Sequence, residues 1–517
     1  MVETMASNTT GKPDAAHRRR DERIVEYICI ALILALASVL LLSNLGNTYM
    51  WQDEAQTALI AKTILSHGVP LGTDGRNSFS QEGGLQCGKN GLWLWQPWFA
   101  LYLLAGFFAA FGASAFTARL PFALMGIGTV ILTYYLGKAL WESRRIAALA
   151  AGLLLLCVPF LILVRTCKYS SAVILFSVAG LYSYILLLRG RRLGPAAFVL
   201  SSLLLFHTHY LYSASMIATA VLHAILFRRD RLRPVLAASA LVLALSVPWI
   251  ILFSRMGRIA MEYVQTTNRL GFAVYYVTQT AKHIAPPALL ALLGGVYLFD
   301  RSRSKGAASA EGDSLYGREL LGLFIVVTMC TISLISEGTF FRYLCAVIPA
   351  FMLLMALGID SLMRVHRALG LALLVVLAYW WRMPDYLYEI THDFDGPIEG
   401  IVQYLGDNAR PTDVVVTNCE DMPLKFYTNL RVISAISGED YRPGKDADWV
   451  IKRKYVVNRR EEAMTRYLVE NVPWEKYEAI SLSYPDTAHE NRESPEQHMF
   501  RTAEDEALVV IFHRIEE

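Results

Sequence analysis

Apolar runs of about twenty residues recur along the first three quarters of this 517-residue chain. Each run is close to the roughly 20 residues that a helix needs to cross the hydrocarbon core of a bilayer. Charged residues make up only 18% of the chain, whereas an ordinary soluble domain carries about 25%. The chain is therefore predicted to be a polytopic α-helical membrane protein. Its formal net charge of +3 gives no reason to expect a nucleic-acid partner.

The length criterion predicts eleven transmembrane segments. They lie near residues 24–45, 119–140, 145–164, 171–189, 194–208, 210–227, 234–254, 283–299, 319–336, 341–363 and 367–382. Residues 1–23 are then a cytoplasmic tail, residues 24–382 the transmembrane domain and residues 383–517 a separate domain. The tail and first apolar run do not resemble a cleaved signal peptide, because the run is too long and lacks a clear small-residue cleavage site.

Basic residues cluster on one side of this predicted topology. The clusters are Arg18–Arg20, Arg144–Arg145, Arg189–Arg192, Arg228–Arg233, Arg301–Lys305 and Arg364–Arg367. All six fall on the side of the N-terminus, and the positive-inside rule makes that side cytoplasmic. With eleven spans, the C-terminal domain lies on the opposite side of the membrane.

The first outer loop, residues 46–118, is long and contains two apolar helices of its own. Counting residues 92–112 as a span would place every later basic cluster outside, so this stretch is predicted to be re-entrant or interfacial. Residues 53–65 carry apolar side chains at helical spacing. Beyond residue 383, short strands alternate with helices, which predicts a small α/β domain outside the cytoplasm.

The acidic pair Asp53-Glu54 follows directly after the first predicted span. A carboxylate at the outer mouth of a helix bundle is poorly placed for packing but well placed to take a proton from a substrate. The alternative interpretation is a helix N-cap, since Asp is favoured there. That alternative accounts for one acidic residue more readily than for two.

Cations also occur on the outer side, against the general charge bias. Arg342 and Tyr343 begin the tenth segment, and Arg165, Lys168 and Tyr169 lie in the turn between the third and fourth segments. Such cations can bind a lipid phosphate, in the case of arginine through paired hydrogen bonds. Anchoring at the membrane interface is the alternative.

Three histidines are predicted to line the same cavity: His207, His209 and His283. His207 and His209 are two residues apart and would diverge on a helix, so a shared metal is not expected. The seven cysteines include no CxxC pair, which argues against a zinc or thioredoxin-like motif. Cys87 and Cys167 fall in outer loops, and both a disulfide between them and two free thiols remain open.

Several short motifs together resemble the GT-C membrane glycosyltransferases, in particular the lipid A aminoarabinose transferases and the protein O-mannosyltransferases. The resemblance covers about the first 380 residues. Its motifs, in order, are Trp51–Glu54 with Ala58–Leu65, Gln96–Trp98, Phe111-Gly112, Ala118–Pro121, His207–Tyr210, Pro248-Trp249, Arg342-Tyr343 and Pro349-Ala350.

The resemblance implies transfer of a sugar from a polyprenyl-phosphate donor to an acceptor hydroxyl on the extracytoplasmic side of a bacterial inner membrane, usually with inversion. Asp53 would be the base, with Glu54 supporting it. Arg342, Arg165 and Lys168 would stabilise the leaving phosphate, where negative charge develops.

One departure concerns the second outer turn, where the aminoarabinose transferases carry an Asp and this chain has Cys167-Lys168-Tyr169. A divalent metal held by two carboxylates is therefore not supported, and no cofactor is assigned. The acceptor stays open between lipid, glycan and protein. A lipid-linked sugar flippase and a non-catalytic envelope-assembly subunit are the alternatives, although the chain shows none of the internal repeats common in transporters.

Overall fold

The computed structural model describes residues 15–266, 268–303, 311–393, 396–456, 459–487, 492–500 and 507–515. Most of the chain forms one helical bundle. Its helices are α1 (Ala15–Leu42), α2 (Gln52–His67), α3 (Phe99–Phe111), α4 (Ala115–Trp141), α5 (Arg144–Leu156), α6 (Val158–Arg165), α7 (Ser170–Leu188), α8 (Gly194–Thr208), α9 (Tyr210–Phe227), α10 (Leu232–Thr266), α11 (Arg269–His283), α12 (Pro287–Arg303), α13 (Glu311–Ile335), α14 (Ile348–Val365), α15 (Arg367–Trp380) and α16 (Met383–Thr391).

Within the described residues, seven helices are long and apolar enough to cross a membrane, and up to ten spans result if three bent helix pairs each count as one. The bent pairs are α5 with α6, α11 with α12 and α15 with α16, at 68°, 66° and 58°. These ten, together with the 15-residue apolar helix α8, coincide with the eleven predicted segments.

A proline lies at or just after each break between the bent pairs. Pro159 is the second residue of α6. Pro286 lies between α11 and α12, and Pro287 is the first residue of α12. Pro384 is the second residue of α16. Proline lacks the backbone N–H and clashes with the preceding turn, so a helix bends or ends there. The bends are thus encoded locally.

Helix α3 is too short to span a bilayer. Its 13 residues rise about 20 Å, against about 30 Å of hydrocarbon. The prediction that residues 92–112 do not form an ordinary span agrees with this length. Trp98, at its N-cap, packs edge-on against Trp249 at 5.5 Å and Phe253 at 5.9 Å.

The C-terminal region, residues 396–515, contains a five-stranded sheet. Its elements are α17 (Pro397–Asn408), β1 (Val414–Thr417), α18 (Asp421–Tyr427), β2 (Arg431–Ile433), β3 (Trp449–Ile451), α19 (Arg459–Asn471), β4 (Tyr477–Pro485) and β5 (Leu508–Arg514). The strand order is β2-β1-β3-β5-β4, with the first three parallel and β5 antiparallel to both neighbours. The prediction of a small α/β fold is confirmed, although it missed the three-residue strand β3.

The first loop binds this C-terminal region through specific hydrogen bonds. The Asn77 side chain accepts from Val432 N at 2.9 Å and donates to Leu430 O at 3.0 Å. At the start of α2, the Gln52 amide donates to Asp421 Oδ1 at 2.7 Å and accepts from Met422 N at 3.1 Å. The N-terminus of α2 is therefore fixed against the C-terminal region, one residue before Asp53.

The other end of the bundle carries a separate charged network. Glu26 binds Lys138 and lies 3.2 Å from Arg144 Nε. Asp360 binds Arg145 at 2.7 Å and Arg364 at 2.5 Å. Several of the basic residues used in the topology prediction thus lie together at the end opposite the C-terminal region.

Cys87 and Cys167 are both free thiols in the structure, so of the two alternatives left open by the sequence the disulfide is not formed. Cys167 is fully buried, and its backbone N–H is held by Glu54.

The buried ion pair between Asp421 and Lys425, 2.5 Å apart, supports the contact between the two regions, because Lys425 also donates to Ser78 O of the first loop at 2.7 Å. Asp421→Asn leaves the Lys425 ammonium buried without its counter-charge. We expect a loss of about 3–5 kcal/mol, the usual cost of breaking a buried pair.

The measurement is the melting temperature of the purified protein in detergent. The matched control is Asp385→Asn, since Asp385 pairs with Arg382 through side chains that are 39% and 48% exposed. Exposed pairs contribute about 0–1 kcal/mol. Equal melting temperatures for the two variants would contradict the assignment of this contact as structural.

Candidate active site

Asp53 is the second residue of α2, and its carboxylate contacts two cations. Oδ2 lies 2.6 Å from Arg342 Nη1 and 3.1 Å from Lys168 Nζ, and Oδ1 accepts from Gln81 Nε2 at 3.2 Å. The side chains of Asp53, Arg342 and Lys168 are 16%, 14% and 7% exposed. Three residues distant in sequence therefore meet at one nearly buried point.

Local structure explains why each group points there. Lys168 lies in the tight turn between α6 and α7, and Arg342 lies in the 3-10 helix Phe341–Val347 before α14. The Arg342 guanidinium also stacks on Phe340 at 4.4 Å. The N-cap position of α2 is Trp51, so the interpretation of Asp53 as the N-cap residue is wrong. Its carboxylate binds the two cations.

Burial alone would raise the pKa of the Asp53 carboxyl. The attraction of Lys168 and Arg342 outweighs burial and holds this pKa below its ordinary value. The Asp53 carboxylate is therefore ionised, and the positive charges of Lys168 and Arg342 stabilise its negative charge.

Glu54, the next residue, faces a different partner. Its Oε1 and Oε2 accept from Arg119 Nε at 2.9 Å and Nη2 at 2.6 Å, and Oε1 also accepts from Cys167 N at 2.7 Å. Arg119 Nη1 donates in turn to Leu45 O and Thr48 O. Glu54 thereby ties α2 to the turn that carries Lys168, which is a supporting position.

Tyr169, His209 and Tyr343 form an aromatic cluster beside Arg342. The His209 ring lies 5.0 Å from Tyr169 and 5.9 Å from Tyr343. Burial, together with nearby Arg342, lowers the pKa of His209 to about 3, so its imidazole is neutral. Tyr212 donates to Tyr343 O at 3.0 Å and fixes the backbone next to Arg342.

The contacts of three other predicted residues are with groups other than Asp53, Lys168 and Arg342. Arg165 donates to Leu40 O at 3.0 Å and lines a separate cavity of about 30 Å³ with Glu54, Arg119, Tyr386, Glu389 and His498. His207 packs edge-on against Trp249 at 5.0 Å, and His283 lies 3.4 Å from Glu496. The structure thus brings together Asp53, Lys168 and Arg342, whereas Arg165 contacts Leu40 and His207 packs on Trp249.

Two acidic residues at this site were not singled out from the sequence. Glu493 binds Arg342 Nη1 through Oε1 at 2.7 Å. Glu337, five residues before Arg342, has its pKa raised to about 7 by burial and by Glu82, against the pull of Arg342. Glu493 lies in a mixed polar stretch with no motif, so only its position in the fold reveals it.

A metal ion between the carboxylates of Asp53 and Glu493 would have to occupy the position of the Arg342 guanidinium. Asp53 and Glu493 both bind Nη1 of Arg342, so the guanidinium lies between the two carboxylates. Within the described part of the chain, no three His, Cys, Asp or Glu side chains are grouped so as to hold a metal. The described residues thus place two cations, Arg342 and Lys168, where they could stabilise an anion.

Comparisons with known proteins point to one fold. The family model for dolichyl-phosphate-mannose-protein mannosyltransferase matches residues 89–205. Among solved structures, ArnT from Cupriavidus metallidurans bound to undecaprenyl phosphate superposes with a TM-score of 0.59 at 14% identity, over 93% of this chain and 97% of that one. No curated protein sequence matches significantly.

The archaeal oligosaccharyltransferase AglB from Archaeoglobus fulgidus, in complex with an inhibitory peptide and a dolichol-phosphate, superposes with a TM-score of 0.53 at 11% identity, over 90% of this chain and 74% of that one. The chain therefore shares the GT-C fold of these proteins. The members of the GT-C superfamily are glycosyltransferases. The resemblance stated from the motifs is confirmed at this level.

Glu54→Gln tests the supporting role of Glu54 in this GT-C fold. The substitution leaves the Arg119 guanidinium, in a residue that is 5% exposed, without its counter-charge. We expect a loss of about 3–5 kcal/mol. The measurement is the melting temperature in detergent, compared with Glu142→Gln, whose side chain is 80% exposed. A melting temperature equal to that of the control would show that Glu54 does not hold Arg119.

Proposed function

We propose that the protein is a glycosyltransferase that moves a sugar from a polyprenyl-phosphate donor to an acceptor hydroxyl, with Asp53 as the general base. The observation that carries this proposal is the contact of the Asp53 carboxylate with two cations, Arg342 and Lys168, at one end of the helix bundle. A base adjacent to paired cations suits a reaction in which a hydroxyl loses a proton while a phosphate leaves.

The proposed step is a single displacement. Asp53 accepts the proton of the acceptor hydroxyl, and the acceptor oxygen bonds to the anomeric carbon of the sugar. The bond from that carbon to the phosphate oxygen breaks, and its electron pair stays on the polyprenyl phosphate. Arg342 and Lys168 stabilise the charge that develops there. Glu54 and Arg119 are positioning residues, because they hold the two segments that carry Asp53 and Lys168.

Donor binding also bears on the strength of the base. With two cations on its carboxylate, Asp53 is a weak base, since its pKa lies below the ordinary value. A donor phosphate that also bound Arg342 and Lys168 would compete with Asp53 for their hydrogen bonds, and the loss of these bonds would raise the basicity of Asp53. Catalytic contacts in a ligand-free structure often differ from those of the reacting complex.

The proposal also places the site of Asp53 on the outer side of the membrane. Three arginines of the basic clusters that predict a cytoplasmic N-terminus, Arg144, Arg145 and Arg364, belong to the charged network with Glu26 and Asp360 at the end of the bundle opposite the C-terminal region. Asp53 and the C-terminal region would then face outward from a bacterial inner membrane. The similarity to ArnT, whose structure was solved bound to undecaprenyl phosphate, supports a polyprenyl phosphate as the lipid.

Asp53→Asn should slow sugar transfer strongly, because the amide cannot accept the proton. We expect a rate lower by about 10²–10⁴-fold, the usual contribution of a general base. The measurement is mass spectrometry of envelope lipids and glycans in a deletion strain that expresses wild type or variant.

The matched control is Asp407→Asn, on the exposed face of α17. Protein level and membrane insertion are measured alongside. Restoration of the wild-type product by Asp53→Asn would remove Asp53 as the base. Movement of a labelled lipid-linked sugar across proteoliposomes without transfer would favour a flippase instead.

Glu337 makes phosphate binding pH-dependent. Because its pKa is raised to about 7, it is mostly neutral at pH 6 and mostly ionised at pH 8. The added negative charge beside Arg342 repels a phosphate, so affinity for undecaprenyl phosphate should fall as the pH rises, by about fivefold at most for a ~1 kcal/mol interaction in water.

The measurement compares binding at pH 6 and pH 8 for wild type and Glu337→Gln. The ionisation of the lipid itself is common to both proteins, so the difference between them isolates Glu337. The variant should show the smaller change. An identical pH response in the two proteins would contradict a charge effect of Glu337.

A further inference from the structure

The segment Arg492–Phe500 of the C-terminal region lies across the helical bundle at the candidate site. Its contacts reach separate parts of the bundle. His498 Nε2 lies 2.7 Å from Glu389 Oε2, Glu496 lies 3.0 Å from Lys282 Nζ, and the Arg382 guanidinium stacks over Phe500 at 4.5 Å. The central contact is made by Glu493, which binds Arg342.

Glu493 and Asp53 share one guanidinium nitrogen. Arg342 Nη1 lies 2.7 Å from Glu493 Oε1 and 2.6 Å from Asp53 Oδ2. The Glu493 side chain is only 5% exposed. Among the described residues, its Oε2 and the Nε of Arg342 have no hydrogen-bond partner. A buried donor and a buried acceptor without hydrogen-bond partners cost free energy. The contact with Glu493 therefore leaves part of the hydrogen-bonding capacity of Arg342 unused.

The charges at this point cancel. Arg342 and Lys168 supply two positive charges, and Asp53 and Glu493 supply two negative ones. With Glu493 bound, the cluster offers an incoming phosphate no net positive charge. Without Glu493, one positive charge is uncompensated, which equals the single negative charge of the phosphodiester in a polyprenyl-phosphate sugar.

We propose that the Glu493 carboxylate occupies the donor-phosphate subsite at Arg342 and that the donor binds by exchanging its phosphodiester for this carboxylate. The inference rests on the proposed function and names the subsite within it. The C-terminal region thereby gates the site: Glu493 holds Arg342 while the donor is absent and leaves it when the phosphate arrives. No other group needs to change its charge, because one monoanion replaces another.

The test is the binding of undecaprenyl phosphate to full-length protein in detergent, for wild type and Glu493→Gln. The amide keeps the shape of the side chain but removes the competing charge. If the carboxylate holds Arg342 in about nine of ten molecules, its removal should tighten binding about tenfold. The matched control is Glu496→Gln on the same segment, whose partner Lys282 is largely exposed. Its affinity should equal that of wild type.

Equal or weaker binding by Glu493→Gln overturns the inference, since Glu493 would then position Arg342 rather than compete for it. Inorganic phosphate is the second probe. If it binds as tightly as the lipid, with the same dependence on Glu493, the ligand is free phosphate and the assignment to a lipid donor is wrong. If the variant binds the lipid more tightly but the wild type transfers no sugar, the exchange of carboxylate for phosphate at Arg342 is supported and the proposed function is wrong.

Discussion

The structure of the site depends on the placement of one carboxylate, that of Asp53, within hydrogen-bonding distance of two nearly buried cations. Two cations side by side repel each other, and burial makes that repulsion costly unless anions compensate. Asp53 compensates from α2, and Glu493 does so from the C-terminal region. The two cations can therefore remain close together at a point where a phosphate could use both.

This placement requires support from a second ion pair. Glu54 follows Asp53 directly, and its bonds to Arg119 and to Cys167 N join α2, the start of α4 and the turn before α7. Gln52 on the other side of Asp53 binds the C-terminal region. Asp53 is thus flanked by two residues that fix the backbone, so its own side chain is left for the cations and for Gln81.

Much of the fold could be predicted because the relevant signals are local. The hydrophobic runs, the prolines at the bends and the alternation of short strands and helices all lie within windows of about twenty residues. The eleven predicted segments coincide with helices or bent helix pairs of the structure. Strand β3 was missed because three residues carry no period, and its place is set by pairing with β1 and β5.

The sequence by itself determined that the chain crosses a membrane repeatedly and that Asp53, Lys168 and Arg342 carry charge near the ends of spans. Only the tertiary structure decided which of these charges meet. It set Arg165 in a separate cavity, assigned Glu54 to Arg119, and brought Glu493 to Arg342 across 151 residues of chain. The reason is physical: hydropathy is a property of neighbouring residues, whereas an ion pair between distant residues forms only once packing has fixed the distance between its two ends.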